Sequence, residues 1–537
     1  MDENSVRILN PRKSIFDQIR IMRTLQVFCF VILMGALSTS CKKKEITERQ
    51  DQFEIDSTRF AGFFAKHPLY KEFQDEMQAL YRKESFKYIW YDGEGRSEVA
   101  DVLYDRARQI GAEGVPVPLP YAERYANIFS DRSEKPNLDS ELLISAMYFF
   151  YAGKTIAGMD PATSKKHGWY LPRERVALVN YLDELLQDPD KIKKDEDENP
   201  QIYYQLRKGL QRYREISRNG GWGTISLPEG KQKIHPGENV PSVAQLRKRL
   251  ALTGEFSGAE EGTVYDEPLV AAVKALQVRN GLNADGVVDK VMIDALNIPV
   301  AERIKTIVVN MERMRWLPDK ISDLDEYIGV NIPAFQMHYV RDGKTVLTSR
   351  VIVGDEANNT VVFSGRMSYL VFSPYWNIPK SIVNEEIMPA LEKDPQYLEK
   401  NDMEWNGEQL RQRPSDANSL GRVKFMFPNG NNIYLHDTPA KSLFKKEDRA
   451  LSHGCVRVQK ARELAIRILE GDKKWNVEKI DAAMRSASEQ QYSLNRKIPV
   501  YIAYFTAVAD ENGFVAFFDD IYKRDNRLAK QLYNDKV

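Results

Sequence analysis

Hydrophobic residues follow two different periods along the chain. Between residues 60 and 230, apolar residues recur three and four positions apart, which is the spacing of one face of an α-helix. Residues of this kind include Ala61, Phe64, Leu142, Ala146, Leu206 and Leu210. From Tyr327, apolar and polar residues alternate, as in YIGVNI and FQMHYV, which is typical of half-buried strands. The pattern predicts a mostly helical domain over residues 60–230 and a β-rich domain over residues 325–471.

A smaller helical unit is predicted between these two domains, over residues 237–300. The spacing of its apolar residues indicates three short helices, and Asp285-Gly286 indicates a tight turn. The unit resembles the small peptidoglycan-binding domain, whose signature joins a Leu-Gln helix, here Leu276-Gln277, to Gly-Leu, Asp-Gly and a final Ala-Leu. It departs from that signature at Asp289, where the family usually has a second glycine.

The strand pattern of the β-rich domain is interrupted over about residues 380–415. The sequence there is polar and helix-like, and an insertion of this length in a sheet domain is commonly a lid or a recognition element. We predict that this capping insertion is a helical lid, and that residues 472–537 are a C-terminal extension completing the neighbouring domains. The expected fold class is therefore a multidomain α+β chain.

An apolar run near the N-terminus has the features of an export signal. Residues 25–37 (LQVFCFVILMGAL) are too few to span a bilayer comfortably, and small residues and Cys41 follow them. This arrangement predicts a signal peptide and lipobox over residues 1–41, lipid on Cys41, and a polar tether over residues 42–59. We expect an exported, periplasmic lipoprotein anchored to a membrane, the alternatives being an ordinary signal peptide or an uncleaved anchor.

The charge balance gives no reason to expect a nucleic-acid partner. Lys plus Arg and Asp plus Glu number 77 each, and no stripe of basic and aromatic residues is present that would stack bases.

The cysteines direct attention to one position. The sequence has three, and Cys29 would leave with the signal peptide while Cys41 would carry lipid, so Cys455 would remain as a free thiol. Exported proteins seldom keep an unpaired thiol without a use, although a lone cysteine can also be a small buried residue. Cys455 is therefore the first candidate for reactivity.

The residues around Cys455 can supply the groups that acyl transfer requires. Cys455 is the candidate nucleophile and His436 the candidate general base and acid. Peptide N–H groups around Ser452-His453-Gly454-Cys455 could form an oxyanion hole, because Gly454 allows the backbone to pass closely by a carbonyl. The carbonyl of Asp437 could orient the His436 ring, and Arg457 could raise the thiolate population, bind a substrate carboxylate or form a structural ion pair.

These residues resemble the signature of the L,D-transpeptidase catalytic domain: His436, followed by Ser452-His453-Gly454-Cys455-Val456-Arg457. Segments beginning at Trp376, Leu420 and Tyr434 resemble long members of that family, which combine a helical scaffold domain, a peptidoglycan-binding domain and a capping insertion. The resemblance implies attack by Cys455 on a stem tetrapeptide, release of D-alanine, and transfer of the acyl group to an amine of a neighbouring stem. It also implies inhibition by carbapenems and no cofactor. The substrate-binding candidates are Arg457, Asp437, Tyr434 and Trp376.

Three other interpretations remain open at this point. The same acyl-enzyme could be resolved by water, which would make the protein an L,D-carboxypeptidase. A non-catalytic lipoprotein that tethers the wall is a second alternative. A zinc site at His436, His453 and Cys455 is a third, but no fourth protein ligand is apparent and the spacing is not that of a zinc finger, so we predict no metal.

Overall fold

The structure is a computed structural model, and it describes residues 54–92, 95–130, 135–173, 176–188, 199–318, 321 and 324–534. The predicted signal peptide, the lipidation site Cys41 and residues 42–53 of the predicted tether lie outside these ranges.

The N-terminal region is helical. Its helices are α1 Arg59–Lys66, α2 Gln74–Lys83, α3 Glu98–Ala107, α4 Ala122–Ser130, α5 Leu138–Ala152, α6 Pro161–Lys166, α7 Leu178–Gln187 and α8 Gln201–Arg218, with 3-10 turns at Pro68–Phe73 and Ile110–Glu113, a π turn at Gly153–Ala157, and a short hairpin of β1 Tyr91–Asp92 and β2 Gly95–Arg96. Helix α5 begins at the cap residue Asn137, whose side chain accepts a hydrogen bond from the Ser140 N–H at 2.9 Å. Nearly every side chain of α5 is buried, because its sequence is apolar on all sides. Helices α1 to α4 and α7 pack around α5 in one core.

By length and composition, the helical stretch Leu138–Lys166 could also cross a membrane. However, 67% of its most apolar window is buried inside the protein, as expected for a core helix.

The next unit has a small core of its own. It contains α9 Pro241–Thr253, α10 Glu267–Arg279, α11 Lys290–Leu296, and the paired strands β3 Lys233–Ile234 and β4 Val288–Asp289. Its motif residues contact one another: the Gln277 amide donates to Asp285 Oδ1 at 2.9 Å and accepts from the Gly286 N–H at 2.9 Å. Asp289, which departs from the signature, caps α11 by accepting from the Met292 N–H at 3.0 Å. Its carboxylate therefore has a structural use that glycine could not supply.

The C-terminal region begins with helix α12, Val300–Arg315, and continues as a sheet. Its strands are β5 Glu326–Asn331, β6 Gln336–Arg341, β7 Lys344–Gly354, β8 Phe363–Phe372, β9 Trp376–Asn377, β10 Met403–Asn406, β11 Gln409–Gln412, β12 Val423–Met426, β13 Leu435–His436, β14 Ala450–Ser452, β15 Val456–Val458, β16 Gln490–Ala503, β17 Ala507–Ala509 and β18 Val515–Phe517. The large sheet has the order β7-β15-β13-β12-β8-β16-β5-β6, and β6 also pairs with β7, so the sheet closes on itself. Strand β14 pairs in parallel with the end of β7. Helices α16 Ala461–Leu469 and α17 Val477–Met484 belong to the same core.

The capping insertion forms a separate small layer. It contains α13 Lys380–Ile382, a π turn at Val383–Ile387, α14 Met388–Lys393 and α15 Tyr397–Lys400, together with the sheet of β9, β10 and β11. Its apolar side chains form their own cluster. The hairpin of β10 and β11 was not predicted from the sequence. It turns at Gly407, whose φ of 63° suits a tight hairpin turn.

Helix α8 packs with α12, and α12 with the C-terminal helix α18, Asp525–Asn534, so the C-terminal segment joins the core of the sheet. Arg313 of α12 donates to Asp525 of α18 at 2.6 Å. The predicted fold class is confirmed: the chain is multidomain and α+β, with a helical N-terminal region and a β-rich C-terminal region.

Candidate active site

His436 and Arg457 lie on two neighbouring parallel strands, and Tyr434 and Cys455 directly precede those strands. Strand β13 pairs with β15 so that His436 is opposite Arg457, and the Val456 N–H donates to the Tyr434 carbonyl at 3.2 Å. Leu435 and Val456 are fully buried in the core of the closed sheet. Because side chains alternate along a strand, the residues on either side of these two lie on the outer face. The fold thus brings Tyr434, His436, Cys455 and Arg457 to one surface.

Residues 452–455, here called the nucleophile loop, are held by hydrogen bonds of their own. The Ser452 hydroxyl accepts from the Gly454 N–H at 3.2 Å and donates to the Cys455 carbonyl at 2.6 Å. Gly454 has a φ of 106°, a conformation that residues with a Cβ rarely adopt. Ser452 is buried, so its hydroxyl shapes the loop from beneath.

A second support comes from outside the loop. The Thr360 hydroxyl donates to the Gly454 carbonyl at 2.8 Å and accepts from the Gly354 N–H at 2.8 Å. The Tyr522 hydroxyl accepts from the Thr360 N–H at 3.1 Å and donates to the Gly354 carbonyl at 2.7 Å. Thr360 is fully buried, and Tyr522 belongs to the C-terminal segment.

This support fixes the direction of a backbone N–H group. In a planar trans peptide the C=O and N–H point in opposite directions, so a Gly454 carbonyl held by Thr360 directs the Cys455 N–H away from Thr360. Within the described ranges, the N–H groups of His453 and Cys455 have no hydrogen-bond partner. These two groups are therefore available to an oxyanion, whereas the Gly454 N–H is engaged by Ser452.

His436 is buried and held in one orientation. Its Nδ1 lies 2.6 Å from the Asp437 carbonyl oxygen. A carbonyl can only accept, so Nδ1 carries the proton and Nε2 carries the lone pair. Burial, followed by the nearby Arg457 charge, lowers the pKa of His436 to about 4, although the carbonyls of Asp437 and Leu420 oppose the shift. At neutral pH the ring is therefore a neutral imidazole that can accept a proton.

Cys455 is half-buried, and its Sγ lies 3.7 Å from the Asn432 carbonyl oxygen. Burial raises the pKa of the Cys455 thiol, while hydrogen bonds from Tyr434 and the Arg457 charge oppose that shift. Burial raises the pKa of Tyr434 as well, so its hydroxyl remains a donor at neutral pH. The resting pair is consequently a thiol and a neutral imidazole, and the thiolate must be generated by proton transfer.

The other predicted site residues are placed differently. The Asp437 carboxylate accepts from the Arg422 N–H at 2.9 Å and from Lys441 Nζ at 2.5 Å, so its side chain is used within the fold. Arg457 has a buried Nε without a hydrogen-bond partner in the part of the chain that the structure describes. Trp376 lies in β9 and packs against the core of the capping insertion.

The capping insertion reaches the nucleophile loop. Glu386, in the π turn Val383–Ile387, places Oε1 3.2 Å from His453 Nε2. Its charge also acts on Arg457, whose pKa burial lowers and Glu386 raises. Sequence reasoning did not select Glu386, Thr360 or Tyr522, since each is distant in sequence from the Ser-His-Gly-Cys motif.

Across the described ranges, no group of three or more His, Cys, Asp or Glu side chains is arranged to hold a metal ion.

Comparison with known proteins identifies the domains. Residues 325–478 match the family described as "L,D-transpeptidase catalytic domain". The chain carries a YkuD-type L,D-transpeptidase catalytic domain. Residues 75–210 match "Scaffold domain" and residues 239–296 match "Putative peptidoglycan binding domain". The resemblance to multidomain L,D-transpeptidases is confirmed.

A curated relative from Haemophilus influenzae, named "Putative L,D-transpeptidase", is 33% identical over 243 residues. The match covers 41% of this chain and 48% of the relative, so it spans about half of that protein's length.

The solved structures that the comparison matched include an L,D-transpeptidase from Xylanimonas cellulosilytica. It is 16% identical, with a TM-score of 0.18, over 52% of this chain and 100% of that one. An L,D-transpeptidase from Mycobacterium smegmatis is 13% identical, with a TM-score of 0.20, over 33% of this chain and 58% of that one. At these values the likeness adds nothing to the YkuD assignment, which the family matches and the curated relative carry.

Proposed function

We propose that this protein modifies peptidoglycan as a cysteine-dependent L,D-transpeptidase. The observation that carries the proposal is the arrangement of Cys455 and His436 on one outer face of the sheet, beside two backbone N–H groups without partners in the described ranges. Nucleophilic acyl transfer requires these groups together.

The first half-reaction uses Cys455 and His436. His436 Nε2 accepts the thiol proton as Sγ attacks the scissile carbonyl, and the N–H groups of His453 and Cys455 stabilise the oxyanion. As the tetrahedral intermediate collapses, the C–N bond breaks and His436 returns the proton to the leaving amine. The products are a thioester on Cys455 and a free amino acid, which the family resemblance identifies as D-alanine from a stem tetrapeptide.

The second half-reaction reverses the roles. An amine of a neighbouring stem attacks the thioester, His436 accepts its proton, and the Cys455 thiol is regenerated as the new amide bond forms. Attack by water at the same step would give a tripeptide, the product of an L,D-carboxypeptidase.

The test is to incubate the protein with disaccharide-tetrapeptide fragments and follow the products by mass spectrometry, beside Cys455→Ala. Dimers formed with loss of D-alanine support transfer, whereas tripeptide without dimers indicates hydrolysis. Equal activity in Cys455→Ala would refute the thiol nucleophile. No reaction with correctly folded wild-type protein would favour the non-catalytic, wall-tethering alternative.

An inhibitor gives an independent test of the nucleophile. A carbapenem is expected to acylate Cys455 and add its mass to the tryptic peptide that contains this residue. An adduct on another residue would contradict the assignment.

The predicted lipid anchor completes the proposal. We propose that the protein is exported and held at a periplasmic membrane surface by lipid on Cys41, with peptidoglycan bound by the module of residues 239–296. Labelling with a radioactive fatty acid should mark wild-type protein and not Cys41→Ser. Label retained by Cys41→Ser would refute the lipidation site.

A further inference from the structure

Lys424 lies beside His436 on strand β12. This strand pairs with β13 on the side away from β15 and the nucleophile loop. Strand β12 pairs with β13 so that Lys424 is opposite His436, while Arg457 is opposite His436 on β15. Neighbouring strands are about 4.8 Å apart, so Lys424 and Arg457 flank His436 on its two sides. Val423 and Phe425 are fully buried inside the closed sheet, which places Lys424 on the same outer face as His436.

Within the described ranges, no hydrogen bond holds the ammonium group of Lys424. The side chain is half-buried, and the charge of Glu489 acts on its Nζ. Burial lowers the pKa of Lys424, and the charge of Glu489 opposes this shift. The Glu489 carboxylate itself accepts from the Tyr375 N–H at 2.9 Å. A partly desolvated cation that lacks a hydrogen-bonded partner is less stable than a paired one, and an anionic ligand would supply that partner.

The proposed reaction places such an anion beside His436. The leaving amine must approach His436 to receive its proton, and the amine and carboxyl carbon of an amino acid are about 2.5 Å apart. Cys455 occupies the β15 side of His436, so the leaving residue is directed to the β12 side. A carboxylate on that residue therefore comes within reach of the Lys424 side chain.

We infer that Lys424 binds the terminal carboxylate of the D-amino acid that leaves when Cys455 is acylated. The inference rests on the proposed function and deepens it. It names the residue by which the enzyme would distinguish a donor that ends one residue after the scissile bond from a longer donor. A longer donor, or one with an amidated terminus, has no carboxylate at this position and leaves the ammonium unpaired.

The test compares two donors, a disaccharide-tetrapeptide and the same compound with a C-terminal carboxamide. Loss of a hydrogen bond between two charged groups lowers an equilibrium or rate constant by about 10- to 100-fold. Wild-type protein should therefore favour the acid donor in kcat/KM by about 10- to 100-fold. Lys424→Met should lose most of this preference through slower reaction with the acid, while its reaction with the amide changes less than about threefold.

Two variants separate recognition from folding. Lys424→Arg keeps a cation at this position and should retain most of the preference for the acid donor. Lys344→Met removes an exposed lysine at the start of β7 and should behave as wild type with both donors. A readout without turnover is the affinity of the Cys455→Ser variant for the tetrapeptide, measured by calorimetry, which Lys424→Met should weaken for the acid and not for the amide.

The outcomes distinguish this inference from the proposed function. If wild-type protein cleaves both donors equally well, releasing D-alanine from the acid and D-alaninamide from the amide, or if Lys424→Met slows both equally, the inference is wrong and the function stands. If correctly folded wild-type protein reacts with neither donor, the proposed function itself fails and the inference falls with it.

Discussion

Two regions of the molecule bury polar side chains, but they differ in how completely the hydrogen-bonding groups of those side chains are satisfied. In the helical region, the fully buried carboxylate of Glu141 accepts from the backbone N–H groups of Ile89 and Trp90, at 2.7 and 3.2 Å, and from the Tyr81 hydroxyl at 2.8 Å. Ser145 also bonds with Tyr81 and Trp90. A network that satisfies its members in this way fixes one packing arrangement.

The outer face of the sheet lacks this completeness. Within the described ranges, Arg457 Nε, Lys424 Nζ and the Cys455 N–H have no hydrogen-bond partner. A buried polar group without a partner, such as Arg457 Nε, costs stability, and in a native structure a ligand or a reaction is one explanation for it. We therefore assign the polar groups of the helical region to the fold and those of the outer face of the sheet to chemistry. Substitutions in the first region should lower stability, and substitutions in the second should lower activity.

The largest effect is expected at His436. Because the Cys455 thiol has a raised pKa, loss of the base in His436→Gln should lower kcat/KM by about 1,000-fold at neutral pH. The residual rate should rise with pH as hydroxide generates the thiolate. In the wild type, His436 stays neutral down to about pH 4, so activity should fall only as pH drops through that value.

The pH–rate profiles of the two proteins are the measurement. An acid limb near 6.5, the ordinary histidine value, would show that His436 is not depressed in the working enzyme. A His436→Gln profile parallel to that of the wild type would contradict its assignment as the base.

The next effect concerns stability. Glu141→Gln exchanges a carboxylate for an amide whose N–H₂ group would face donors, and should lower the free energy of unfolding by about 3 kcal/mol. Urea unfolding measures the change, with the exposed Glu123→Gln as the control. D-alanine release by the folded variant should match the wild type, and a kinetic defect without loss of stability would contradict the division drawn between the two regions.

A smaller effect is expected beneath the nucleophile loop. Thr360→Val removes the hydroxyl that holds the Gly454 carbonyl while keeping the side-chain shape, so the Cys455 N–H is no longer aimed. We expect kcat to fall about 10-fold, or about 1.4 kcal/mol, with little change in KM. Thr360→Ser keeps the hydroxyl and is the matched control. Tyr522→Phe removes the hydroxyl that accepts from the Thr360 N–H, so it affects the Gly454 carbonyl only through Thr360. It should lower kcat about threefold.

Steady-state kinetics at saturating and limiting donor concentrations separate kcat from KM. If Thr360→Val raised KM and left kcat unchanged, the hydroxyl would serve substrate binding and not the position of the oxyanion hole.

How much of this site the sequence could predict depends on the distance over which each signal acts. The motif Ser452-His453-Gly454-Cys455 and the strand end at His436 are local patterns, and the structure brings them together on β13 and β15. The fold class followed from the change of period at Tyr327. These features are encoded in short segments, which a single sequence displays.

The residues that were missed act across the fold. Thr360 and Tyr522 are about 95 and 67 positions from Cys455, and the Tyr522 hydroxyl reaches the Thr360 N–H and the Gly354 carbonyl only because the C-terminal segment packs against the end of β7. Lys424 was inside a segment that was recognised, but its relation to His436 depends on strand register, which hydrophobic alternation does not specify between strands. The hairpin at Gly407 was missed because its strands are short and largely polar, although Asn406-Gly407 is a hairpin signal.

The smallest effect is expected where the capping insertion meets the nucleophile loop. Glu386 and His453 are both about half exposed, so their contact at 3.2 Å is worth at most about 1 kcal/mol. Glu386→Gln should loosen the insertion and speed alkylation of Cys455 by iodoacetamide about twofold. Glu385→Gln, on the same turn and exposed, is the control. If both variants react at the wild-type rate in low salt, the contact does not restrain the insertion, and access to Cys455 is set by the packing of its apolar core instead.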